Sequence, residues 1–299
     1  MRLRKEPSRT TTSTKKKDSN EQKKSIKSSS DSGISREKVI EKALAGVDWA
    51  AIESDETYKF TNINTLEILF SVYEKFLHDD PPIVAVDTET EGLKWGHRII
   101  GISFSWSDTD NYYIPLRHEG YETQLDIDDC VPILQELFSC DDKIYVFHNY
   151  KFDYHKLAKE GLGVSGKVHD TMLMHYVLDE NDRHALKHLA TKFIDSKASH
   201  YEKVIADIRR RLARGFKIKL KDFGFENIPV KIMVQYACRD TYYTLKLYER
   251  FHGDIYGDDA CVKVYERELS LLPVLCAMEH EGVYIDQDLL AEKSVVLGE

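Results

Sequence analysis

The stretch Ile83-Val84-Ala85-Val86-Asp87-Thr88-Glu89-Thr90 begins as a continuous β-prone apolar run and ends in two carboxylates. It follows directly on the chain-breaking Asp79-Asp80-Pro81-Pro82, and four apolar residues in succession are the pattern of a central strand covered on both faces. Strand side chains repeat every two residues, so Asp87 and Glu89 project from one face at the C-terminal end of that strand.

Downstream, Ile99 to Trp106 alternates, with Ile100, Ile102, Phe104 and Trp106 on one side and Gly101, Ser103 and Ser105 on the other, and Tyr112-Tyr113-Ile114 makes a further short strand. Their short connections favour antiparallel neighbours. A helical pattern runs from Asp128 to Phe138, then a second buried-strand run, Ile144-Tyr145-Val146-Phe147. Beyond it the pattern is mostly helical: 154–160, 170–178, 185–194, 201–212 and a long stretch from about 229 to 251. Strands, a helix, a strand and then helices point to an α/β or α+β domain with a mixed sheet.

The composition of all 299 residues, 42% apolar with 15 Gly and 7 Pro, excludes wholesale disorder, a collagen-like repeat and a disulfide scaffold. Five scattered cysteines without a C-x-x-C pair exclude a zinc knuckle and suit reduced thiols in a cytoplasmic setting. The least polar stretch, Leu269 to Met278, falls well short of the ~20 residues a spanning helix needs, so no membrane partner is expected. The net charge of -9 hides an asymmetry. The first thirty residues carry ten basic side chains against three acidic ones, net +7, leaving -16 on the rest. With almost nothing apolar to bury, residues 1–36 are expected to be a disordered basic Lys/Ser-rich tail, and order to begin near a helix cap at Ser35.

Two more acids fall where they could join the first pair. Asp153 opens a helix six residues after the second buried strand, in His148-Asn149-Tyr150-Lys151-Phe152-Asp153. Tyr236 and Asp240 stand four apart in the long helix, so the phenol and the carboxylate share a face. Four converging carboxylates raise one another's pKa unless divalent cations neutralise them, and hard oxygen donors select Mg²⁺ or Mn²⁺ over zinc. Such a set suits phosphodiester hydrolysis by two cations ~3.5–4 Å apart, with the phenol positioning the attacking water. The basic run Arg209, Arg210, Arg211, Arg214, Lys217, Lys219 and Lys221 is either a phosphate grip for a single strand or a solvated helix face. Gly161-Leu162-Gly163-Val164-Ser165-Gly166 spells G-x-G-x-x-G but follows a helix instead of a strand, so it reads as a helix stop and turn.

In order and context, these segments resemble the motifs of the DEDDy branch of the DnaQ-like 3′-5′ exonucleases, and most of all the proofreading domain of family A DNA polymerases of the bacterial polymerase I type. Asp87 and Glu89 match D-x-E; Asn149, Phe152 and Asp153 match N-x-x-x-[FY]-D; Tyr236 and Asp240 match Y-x-x-x-D. The sibling branch places a histidine five residues before the last Asp, where this chain has Gln235. Asp170-Thr171-Met172-Leu173 and Arg183-His184 resemble the same domain's intervening helices.

The resemblance implies an RNase H-like fold, a mixed five-stranded sheet flanked by helices, with Asp87, Glu89, Asp153 and Asp240 as ligands of two Mg²⁺ ions that Mn²⁺ can replace. It implies that Tyr236 orients the water, that Leu93 wedges against the terminal base, and that Asn149 touches the terminal nucleotide. Phe152, Arg210 and Arg211 complete the expected DNA-binding residues. The implied domain spans 37–260. Residues 261–299 resemble the entry to a polymerase domain, too short to hold palm, fingers or thumb, so no DNA synthesis is expected from this chain alone. Either a separately encoded polymerase chain is the expected partner beside DNA, or this sequence is a fragment of a longer polymerase, with a phage source and host cytoplasm as the expected setting. An RNase D-like exoribonuclease shares all three motifs, and a catalytically inert module bracing a polymerase is the alternative from another class.

Overall fold

A computed structural model describes residues 35–47, 58–121 and 123–298. Residues 1–34 of the expected tail lie outside them. Ser35 caps helix α1 (Arg36–Leu44) as expected, its hydroxyl accepting from the Lys38 N–H at 3.4 Å.

A short strand β1 (Phe60–Asn62) and helix α2 (Leu66–Asp79) precede β2 (Ile83–Thr90), β3 (Ile99–Ser105) and β4 (Asn111–Pro115). Helix α3 (Ile127–Phe138), β5 (Ile144–Phe147), α4 (Tyr150–Lys159) and β6 (Lys167–Asp170) follow. The chain continues as α5 (Thr171–Leu178), α6 (Leu186–Phe193), α7 (Ala198–Gly215) and two 3-10 turns, Leu220–Asp222 and Phe225–Asn227. It closes with α8 (Val230–Tyr256), α9 (Asp259–Glu281) and α10 (Gln287–Leu297).

The sheet order is β1-β4-β3-β2-β5-β6. β2 pairs antiparallel with β3 and parallel with β5, and β6 and β1 add parallel edges to β5 and β4. The α/β architecture is that of the RNase H-like fold, with six strands among the described residues where five were expected. The added length at one edge is β1, three half-buried residues held by parallel pairing to β4 and by the Ile63 N–H donating to the Tyr113 carbonyl at 2.8 Å. Three residues are too few to show a period.

β2 is buried from both sides, as its apolar run requires. Val84 and Val86 join the cluster containing Phe76, Leu134 and Phe147, whereas Ala85 faces the cluster of Met174, Leu245 and Tyr248. Burying a side chain of this size contributes roughly 1.5–3 kcal/mol, and α8 lies across β2, β3 and β4 with one face wholly buried. β3 carries no side chain at Gly101 because a Cβ there would stand 2.1 Å from the Tyr113 hydroxyl, which is itself 2.7 Å from His118 Nε2. α9 returns across α4 and α5, burying Tyr265, Leu272 and Cys276, whereas α10 buries no residue. The glycine-rich segment is a turn between α4 and β6, with Gly161 at φ +78°.

Candidate active site

β2 places Asp87 opposite Ser103 and Glu89 opposite Gly101 of β3, and the register shifts just after Glu89. α8 crosses that end of the strand and presents Asp240 and Tyr236 one turn apart. Carboxylate oxygens of Asp87, Glu89 and Asp240 lie within 4.8 Å of one another. Asp153, in the first turn of α4, is buried beside them. Its Oδ1 accepts from the Thr88 N–H at 3.0 Å and the Thr88 hydroxyl at 2.6 Å, so the residue between the two strand acids ties α4 to β2.

These acids resist ionisation together. Burial raises Asp87 to about 6, against the pull of Lys187. Burial and then the charge of Asp87 raise Glu89 to about 8, and the same two causes push Asp153 well above the carboxylate range. Burial, with Glu89 and Asp87 next in weight, also pushes the Tyr236 phenol well above its usual value, so it is a neutral hydroxyl able to donate. Three oxygen donors this close, two of them disfavoured as free anions, fit a hard divalent cation, because a bound cation reverses the sign of the local field.

Lys187 of α6 was given no role by sequence reasoning. It is buried, pairs through Nζ with Asp240 Oδ1, and sits 4.4 Å from the Tyr236 ring centroid. Burial lowers it to about 8, against the charges of Glu89 and Asp87. The L-K-H-L spacing of α6 gave no signal for a buried lysine, because that burial arises only where α6 lies against α8. Asp170 is a second residue without an assigned role. It receives the Asn149 and Tyr150 N–H groups of α4 at 3.1 and 2.9 Å, and those of Met172 and Leu173 of α5 at 2.8 and 3.4 Å. One buried carboxylate thus caps two helix N-termini and sets the turn that carries Phe152 and Asp153.

The cleft over the cluster measures about 390 Å³ and is lined by Asp87, Glu89, Asp240, Tyr236, Leu93, Phe152, Arg209 and Phe225, among others. Leu93 is 87% exposed at its rim. Its loop is pinned from below by Lys156, whose Nζ donates to the Lys94 and His97 carbonyls at 2.9 and 3.1 Å. Of the expected nucleotide contacts, Leu93 and Phe152 therefore reach the cleft. Asn149 does not line it; it occupies the left-handed turn before α4, at φ 73°. Arg210 and Arg211 are also elsewhere. Both pair with Asp207, and Arg211 donates to the Ala45 carbonyl at the end of α1 at 3.1 Å. The basic residue of that run in the cleft is Arg209, because α7 buries Ile205, Ile208, Leu212 and Ala213 and position 209 lies between 205 and 213 on that face.

Among the described residues, no helix is long and apolar enough to cross a membrane. A family model described as 3′-5′ exonuclease matches residues 59–255. DNA polymerase I of Chloroflexus aurantiacus is 34% identical over 213 residues, 71% of this chain and 21% of that protein. The DNA polymerase of Escherichia phage T5 is 33% identical over 220 residues, 70% of this chain and 24% of that protein. The chain thus spans about a quarter or less of the length of these relatives. Among solved structures, Brucella melitensis NrnC bound to pGG superposes with a TM-score of 0.52 at 21% identity, covering 76% of this chain and 95% of NrnC, a likeness of fold. The chain belongs to the 3′-5′ exonuclease domain family of the family A DNA polymerases.

Proposed function

We propose that this protein removes nucleotides one at a time from single-stranded or frayed DNA 3′ ends, using two Mg²⁺ ions held by Asp87, Glu89, Asp153 and Asp240. The observation that carries the reading is the meeting of Asp87, Glu89 and Asp240 within 4.8 Å, with Asp153 tied in through Thr88. The ions would supply an activated water and stabilise the leaving 3′ oxygen. Asp153 Oδ1 is occupied by Thr88, which leaves Oδ2 to face a cation. Tyr236 stays protonated and is braced by Lys187 on one face and by the edge-on Phe225 ring at 5.7 Å, so its hydroxyl orients the water without giving up a proton. Leu93 and Phe152 would hold the terminal nucleotide between them, Leu93 from the rim.

The relatives that the chain matches are DNA polymerases, which supports DNA as the substrate and proofreading as the setting. On this reading residues 261–299 lead toward a polymerase domain, and a polymerase module is the partner. The test is Mg²⁺-dependent degradation of a 5′-labelled single-stranded oligonucleotide, in DNA and RNA forms. Asp87→Ala and Asp153→Ala abolish it, and Tyr236→Phe slows it by about 10²-fold, the cost of a misplaced reactant, while magnesium still binds. Full activity in Asp87→Ala refutes the assignment, and preference for the RNA form assigns an exoribonuclease instead.

A further inference from the structure

We infer that Arg209 binds a backbone phosphate on the 5′ side of the scissile bond, and that the segment from α7 through the second 3-10 turn forms the strand-gripping wall of the cleft. The inference rests on the exonuclease reading and adds a residue to its substrate contacts.

Arg209 lines the same cleft as the carboxylates. Two main-chain carbonyls aim its guanidinium: Nε donates to Phe223 at 2.7 Å and Nη2 to Leu220 at 3.1 Å. The group stands 5.7 Å from the centroid of Phe225, whose ring meets Tyr236 edge-on. Among the described residues no carboxylate lies within ion-pair distance of Arg209, in contrast to Arg210 and Arg211, which share Asp207. Neutral acceptors fix its direction without cancelling its charge. A guanidinium so placed, half-buried and with Nη1 outside both of those bonds, is suited to phosphate oxygens.

Strand chemistry selects which phosphate. A 3′ terminal nucleotide ends in a hydroxyl, so the phosphate nearest the end is the scissile one, and that one belongs at the carboxylates. The charge acting on Asp87 and Glu89 belongs to Lys187 of α6, and Arg209, held at the cleft wall by the Phe223 and Leu220 carbonyls beside Phe225, is left to meet a phosphate farther along the strand. A base stacked on the Phe225 side of the cleft and a phosphate on Arg209 would hold the strand in line while the last nucleotide reaches the metals.

Two measurements separate this contact from the chemistry. Binding of a short labelled single strand is followed by anisotropy across a salt series in the uncleaving Asp153→Asn background. Hydrolysis in the otherwise wild-type chain is compared between an oligonucleotide and the 4-nitrophenyl ester of thymidine 5′-monophosphate, which carries the scissile phosphate and no other. Arg209→Gln lowers the magnitude of the salt slope by about 0.7, the value of one phosphate contact on a single strand. It also lowers the ratio of oligonucleotide to ester kcat/KM about tenfold, chiefly through KM, and Arg209→Lys recovers the slope in part. Lys203→Gln, an exposed cation on the same helix, moves neither quantity. The inference is overturned if the slope is unchanged, if ester and oligonucleotide slow equally, or if Lys203→Gln has the same effect. A wild-type chain that cleaves neither substrate while the slope still falls would remove the exonuclease reading and leave the phosphate grip standing.

Discussion

Replacing Glu89 by glutamine should make the metal-free protein more stable while destroying its activity. Glu89 is buried, and its folded-state pKa stands at about 8 against an ordinary 4.5, through burial first and the charge of Asp87 second. A carboxyl whose folded pKa is raised contributes stability that is fully present below pH 4.5 and is lost as pH rises toward 8. At pH 7 the loss spans about 2.5 pH units, roughly 3 kcal/mol at ~1.36 kcal/mol per unit. Glutamine keeps the shape and does not titrate, so that loss disappears. At roughly 2–4 °C per kcal/mol for a domain of this size, melting in EDTA at pH 7 should rise by about 6–12 °C in Glu89→Gln. At pH 5 the gap should shrink to under about 1 kcal/mol, because the wild-type carboxyl is then protonated as well. Magnesium should close most of the gap. At a hundred times its dissociation constant it adds about 2.7 kcal/mol to the wild type, and less to a variant lacking one ligand oxygen. Thermal unfolding followed by circular dichroism, at both pH values with EDTA or magnesium, checks all three statements. A variant that melts at or below the wild-type temperature in EDTA at pH 7, or a gap that ignores pH, refutes the claim that the acids are held together against their repulsion.

Three further outcomes follow from particular contacts. Gly101→Ala places a Cβ 2.1 Å from the Tyr113 hydroxyl inside the sheet, so urea unfolding should show a loss of about 1–3 kcal/mol or more from overpacking. Asp170→Ala strips four backbone N–H groups of their acceptor at two helix starts; a loss of about 2–4 kcal/mol at roughly 1 kcal/mol or more per cap, with weakened magnesium binding as Asp153 shifts, is measurable by melting and calorimetry. Lys187→Met removes the cation paired with Asp240 and should lower the magnesium concentration for half-maximal activity about tenfold, since a competing positive charge is gone, while kcat falls as Tyr236 loses the ammonium beneath its ring.

Much of this molecule was legible because its defining elements carry strong periods. The two-faced burial of β2, the alternation of β3 and the long stripe of α8 were all readable, and a period of two on a strand with four on a helix suffices to aim Asp87, Glu89, Tyr236 and Asp240 along shared faces. What was not legible depends on how elements lie against one another. β1 exists because β4 offers it an edge. Lys187 is buried because α6 meets α8, and nothing in its own helix says so. Choosing among Arg209, Arg210 and Arg211 needed the phase of α7. The buried positions 205, 208, 212 and 213 were present in the sequence, and position 209, one turn from both 205 and 213, falls inside their arc, whereas 210 and 211 fall outside it.

Lys187 also bears on how such a cluster survives before any cation arrives. Three acids within 4.8 Å would cost several kcal/mol if all were ionised in a buried setting, yet the surrounding sheet is packed and ordered. One ammonium on Asp240 and protons retained on Glu89 and Asp153 reduce the uncompensated charge at neutral pH to little more than that of Asp87. Metal entry must then expel those protons and draw Asp240 from Lys187. Binding should therefore release protons, weaken as pH falls from 8 to 6, and become less pH-dependent in Glu89→Gln. Calorimetry in buffers of different ionisation enthalpy measures that release directly; magnesium uptake with no proton release would mean that the acids are ionised before the metal arrives and would refute this account of their charge.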